Sequence, residues 1–250
     1  NRGGVTVRAD ARKRWLRFRG ELTGMGRRAG ALVLVLSLGT LLNARDVAAR
    51  DFQEYPIRRD DRLLQLQIST SFGSDHQIEL MQWIEQLAES LAQVYGHWPL
   101  RRWAVSIAPA DAGGSDPIPW ARIHRGDIDR VEFFVLPGAN KHELVRAWTG
   151  YHELAHLLIP YRGWGDAWFS EGLASYYQNV LQARSGILNE QQMWQKLHDG
   201  FMRGRTETRL AGQSLREASK SFRRERAYMR VYWSGAWYFM AADIRLRQQS

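Results

Sequence analysis

The 250 residues are 44% hydrophobic and include eleven tryptophans but no cysteine; that suffices for one domain or a two-lobed one, and excludes disulfides or cysteine-ligated zinc. The net charge of +9 invites a nucleic-acid reading, yet residues 1–49 hold ten Lys/Arg and three Asp/Glu, leaving 25 and 23 elsewhere. The remainder is therefore near +2 and shows no basic groove with interleaved aromatics, which disfavours a nucleic-acid partner.

In chain order, residues 1–49 read as a leader. Met25-Gly26-Arg27-Arg28 is a short basic start, residues 31–42 are an apolar run, and Val47-Ala48-Ala49 offers small residues before a cut. Twelve residues fall short of the ~20 that span a bilayer. The pattern predicts a secretory signal peptide, with an uncleaved membrane anchor or a buried helix as alternatives. No Asn-x-Ser/Thr site occurs. An exported protein follows, periplasmic or extracellular, most simply in a bacterial envelope.

Residues 50–250 are expected to form one domain, with a sheet lobe over 50–137 and a helical lobe over 138–250. Leu64, Leu66 and Ile68 alternate with polar residues and predict a strand over 63–69. Residues 74–95 predict an amphipathic helix whose stripe is Ile78, Met81, Ile84, Leu87, Ala88, Leu91 and Val94. Strands follow at 102–108 and 131–136, with a further one at 120–124. Arg125-Gly126-Asp127 reads as a turn.

Residues 141–159 read as one helix, stopped by Pro160, and a second helix starts at Asp166 and runs to Gly186. The first carries His152-Glu153-Leu154-Ala155-His156. Residues four apart on a helix lie about 40° apart around its axis and roughly 6 Å along it, so both imidazoles can aim at one point. Imidazole suits zinc, and Glu153 lies beside the pair, able to reach a water without occupying the metal. Glu171, early in the second helix, can complete a three-ligand site with one open position. His142-Glu143-Leu144-Val145-Arg146 begins similarly, but Arg146 cannot be a ligand, so His142 and Glu143 read as helix surface. His76, His97, His124 and His198 have no partner at ligand spacing. Helices at 189–203 and 227–247 complete the reading, joined by a loop with a short helix.

His152-Glu153-Leu154-Ala155-His156 and Trp168-Phe169-Ser170-Glu171-Gly172-Leu173-Ala174-Ser175-Tyr176-Tyr177 resemble the gluzincin metallopeptidases. With Tyr95-Gly96-His97-Trp98-Pro99 and Tyr232-Trp233-Ser234-Gly235-Ala236, the closer likeness is to the glycyl-aminopeptidase-like M61 branch, with the M1 aminopeptidases as cousins. The resemblance implies an α+β, thermolysin-like fold and a zinc metallopeptidase. One Zn2+ would be held by His152, His156 and Glu171, with Glu153 as general base and acid. Tyr232 matches an oxyanion-binding tyrosine, although Ser234 replaces the usual lysine; packing in an aromatic helix is the alternative role. The substrate is a peptide or protein. Aminopeptidase action, endopeptidase action on envelope proteins and a catalytically silent binding module all stay open.

Two further expectations rest on the resemblance. The last strand before the zinc helix, 130–135, would be the sheet edge that pairs with substrate. Ser175 stands four residues past Glu171, where thermolysin relatives often carry an acidic residue behind a metal-bound histidine. Another group must then orient that imidazole.

Overall fold

The computed structural model describes residues 51–111 and 115–249. The leader therefore lies outside the described residues. Among these residues, no helix is long and apolar enough to cross a membrane.

The chain is α+β. Its five strands are β1 (Phe52–Arg59), β2 (Arg62–Ser69), β3 (Arg102–Pro109), β4 (Trp120–His124) and β5 (Arg130–Val135), arranged in the order β1-β2-β3-β5-β4. β2, β3 and β5 run parallel, while β1 and β4 pair antiparallel at the two edges. The reading of 130–135 as a sheet edge is thus corrected. β5 is hydrogen-bonded on both sides, and β4 is the open strand on that flank.

β1 was not expected, because Pro56 and its polar neighbours hide it. Proline is tolerated on an edge strand, where its missing N–H costs no ladder bond. Only Tyr55 and Ile57 of β1 pack, half-buried, against the core. A two-residue turn joins β1 to β2, with Asp60 in the left-handed region at φ 51°, a conformation that aspartate tolerates.

One sheet face supplies the core. Leu64, Leu66 and Ile68 of β2, Trp103, Val105 and Ile107 of β3, and Val131, Phe133 and Val135 of β5 are all fully buried. Each such side chain contributes roughly 1.5–3 kcal/mol of burial. Helix α1 (Ser74–Tyr95) belongs to the same core through Leu80, Trp83, Ile84, Leu87 and Leu91. Its buried stripe is rotated from the expected one, since Trp83 lies inside and Ile78 is 49% exposed.

The helical part comprises α2 (Lys141–Arg146), α3 (Trp148–Ala155), α4 (Ala167–Arg184), α5 (Glu190–Arg205), α6 (Leu215–Ser221) and α7 (Tyr228–Arg247). The single helix expected over 141–159 is broken at Ala147, whose ψ of 123° is extended. Asn140 and Glu143 form a reciprocal capping box that starts α2. Gln182 Nε2 donates to the Arg146 carbonyl at 3.2 Å, satisfying an acceptor at the break. α3 then runs only to Ala155, and His156–Leu158 form a 3₁₀ turn.

Small residues set how closely the helices approach. A Cβ on Gly172 of α4 would lie 2.5 Å from the Gly235 backbone of α7, and one on Gly235 would lie 2.3 Å from the Trp168 carbonyl oxygen. Only glycine permits that contact. Trp233 of α7 lies across α5 in the same way, against Gly200 and Gly204. Gly150 lets α3 meet Leu87 and Trp83 of α1.

Candidate metal centre

α3 delivers His152 and the 3₁₀ turn delivers His156, so the four-residue spacing survives the change of helix type. α4 delivers Glu171. Its Oε2 lies 3.4 Å from His152 Nε2 and 3.7 Å from His156 Nε2. One donor atom from each of the three residues lies within 4.8 Å of the others, and no other group of this kind occurs among the described residues.

These separations suit a cation. Zinc bonds of about 2.0–2.1 Å in tetrahedral array place ligand atoms roughly 3.3 Å apart. The hydrogen bonding fits as well. His152 Nδ1 is 2.8 Å from Gln178 Oε1, and an amide oxygen can only accept, so Nδ1 carries the proton and Nε2 keeps its lone pair. His156 Nδ1 is 2.9 Å from Ser170 Oγ, a contact compatible with an unprotonated Nε2. Burial acts to lower the His152 pKa, but its hydrogen bond with Glu171 and the charges of Glu153 and Glu171 outweigh burial and raise it. The site thus attracts positive charge, which a proton or a metal ion can supply.

All of these groups are buried: His152 is 3% exposed, Glu153 6%, His156 4%, Glu171 4% and Tyr232 1%. Electrostatic interactions among them are accordingly stronger than at a surface. The Tyr232 ring stacks parallel to His152 at 6.4 Å between centroids. It also packs against Phe222 and Tyr228, the aromatic packing considered for it. Arg230 Nη1 donates to Ser234 Oγ at 2.6 Å, which brings a cation to the position where the resemblance expects lysine.

Arg125 makes contacts that its tripeptide concealed. The turn reading of Arg125-Gly126-Asp127 missed that Arg125 Nη2 donates to the His156 carbonyl at 2.9 Å while Nη1 pairs with Asp129 at 2.7 Å. It thereby ties the β4–β5 connection to a site residue, a contact across 31 positions that no local pattern announces. The remaining histidines have other partners. His76 bonds to the Ala139 carbonyl, His97 to that of Trp98, and His124 to Glu132, while His142 accepts from Arg146.

Residues 140–242 match the family described as M61 glycyl aminopeptidase. No curated protein sequence matches the chain. Among solved structures, the chain is similar to an aminopeptidase N family protein from Idiomarina loihiensis, at 17% identity and a TM-score of 0.48. That likeness covers 80% of this chain, which spans only 38% of that protein's length. The likeness to the M61 family thus spans residues 140–242, the stretch that includes His152, Glu153, His156 and Glu171.

Proposed function

We propose that the chain is a zinc-dependent peptidase of thermolysin-like fold, acting as an aminopeptidase. The observation that carries this reading is the convergence of His152 Nε2, His156 Nε2 and Glu171 Oε2 at metal-ligand spacing. The M61 match over the same residues supports it, and the family's description supports the aminopeptidase assignment. Zinc held there supplies Lewis-acid chemistry, polarising a carbonyl and lowering the pKa of water. Glu153 accepts the proton of the attacking water and returns it to the leaving amine. His152 stays in one tautomer through its Nδ1 hydrogen bond. The Tyr232 hydroxyl donates a hydrogen bond to the developing oxyanion. Retention of Glu153 argues against a silent site, because a structural metal site needs ligands but no base. The proposed leader directs the enzyme out of the cytoplasm.

Aminoacyl-coumarin and internally quenched peptide panels, each with and without chelator, test the function. Aminopeptidase action predicts release of coumarin, abolished by chelator and restored by zinc. Cleavage confined to the quenched peptides contradicts the aminopeptidase assignment, and chelator-insensitive turnover contradicts zinc dependence. Glu153→Gln is expected to retain one zinc and lose several orders of magnitude in kcat. Equal turnover by variant and parent would remove Glu153 from the mechanism.

A further inference from the structure

α4 grips both nitrogens of one imidazole. Glu171 and Gln178 are seven residues apart on that helix, two turns and within about 20° of the same face. Glu171 Oε2 approaches His152 Nε2, and Gln178 Oε1 accepts from Nδ1. One residue before Glu171, Ser170 meets the outer nitrogen of the second imidazole, His156 Nδ1. Both imidazoles are therefore backed by neutral side chains from a single helix. Ser175, where a carboxylate was expected, is buried, and its carbonyl accepts from Asn179 Nδ2.

We propose that Gln178 is the positioning residue of the metal site, fixing the tautomer and ring orientation of His152 from one turn beyond the position held by Ser175. This rests on the zinc reading above. Charge explains why an amide serves. Glu153 and Glu171 are both buried and balance one divalent cation, whereas a third carboxylate behind His152 would leave the loaded centre with an excess negative charge. An amide oxygen aligns the ring without adding that charge. The cost is a less basic ligand, since carboxylate partners strengthen a metal-bound imidazole more than neutral ones do. The chain thus exchanges metal affinity for electrical neutrality at the loaded site.

Zinc affinity is measured on the full chain by competition with a chromogenic chelator, alongside the thermal midpoint of the metal-free protein. The parent is expected to take up one zinc. Gln178→Leu is expected to weaken zinc binding by about 10–100-fold and also to lower the metal-free midpoint by a few degrees, since the buried His152 N–H loses its acceptor. Gln178→Glu is expected to act in the opposite direction on zinc, tightening its binding about tenfold while also lowering the metal-free midpoint. A purely structural role cannot give that reversal, because both substitutions would then weaken the site. Should Q178L fail to fold, the direction of the Q178E effect decides. Zinc affinity within twofold of the parent in Q178L, or weaker binding in Q178E, overturns the assignment of Gln178 alone. A parent chain that takes up no zinc overturns the metal reading and this proposal with it.

Discussion

Gly172→Ala probes the close approach of α4, the helix that carries Glu171, to α7. The added Cβ would lie 2.5 Å from both the carbonyl carbon and the Cα of Gly235, and 3.0 Å from the Ala236 nitrogen. These are backbone atoms and cannot rotate away. Restoring ordinary contact at about 3.5 Å requires the two helices to part by roughly 1 Å, and overpacking of this kind costs about 1–3 kcal/mol. Alanine's better helix propensity returns at most about 1 kcal/mol. Because the opposing atoms are backbone, the cost falls near the top of that range, about 3 kcal/mol, and the net loss is about 2 kcal/mol, or roughly 4–8 °C in Tm for a domain of this size. Urea and thermal unfolding of the metal-free chain measure it, with Gly138→Ala as control, since nothing lies within 4 Å of a Cβ there. The same displacement moves Glu171 relative to the imidazoles, so zinc affinity should fall as well. A G172A protein as stable as the parent would refute the argument from close approach.

Arg125→Ala removes a charge-assisted bond to the His156 carbonyl. It is expected to cost about 1–2 kcal/mol in urea unfolding and to weaken zinc binding; Arg125→Lys should recover only part, because an ammonium cannot fork between Asp129 and that carbonyl. Unchanged stability and zinc affinity in R125A would show that the tie is incidental. Tyr151 is fully buried in the core, and burial pushes its phenol up to about 12. Its folded pKa lies above the unfolded value near 10, so its contribution to stability is present below pH 10 and lost as pH rises through 12. Tyr151→Phe should therefore flatten the alkaline decline in stability while matching or exceeding the parent at pH 7. A decline as steep as the parent's would contradict that assignment.

What the sequence revealed, and what it hid, follows from the range of each interaction. The four-residue spacing of His152 and His156 and the helix start at Lys141 are local, and both survive in three dimensions. The break at Ala147 was invisible because the apolar periodicity of Leu144, Trp148, Tyr151 and Ala155 runs straight across it. What answers the break is a contact with Gln182, 36 residues away. Strand order escaped for a similar reason. β5 is the last strand before the helix that carries His152, yet it turns back to insert between β3 and β4, which leaves the earlier strand β4 at the edge. Of the partners of the imidazoles, Ser170 lies inside the stretch 168–177 and Gln178 just beyond it, and no spacing marks either as a partner. Only the packing of α4 on α3 selects them from among the polar residues of that helix.

X-ray absorption at the zinc edge, on the purified chain loaded with one equivalent of metal, tests the central claim most directly. The account predicts two imidazole nitrogens and a carboxylate oxygen at about 2.0–2.2 Å from the ion, with one imidazole lost in His152→Ala and the other in His156→Ala. A zinc environment without histidine, or one unchanged by both substitutions, would contradict it.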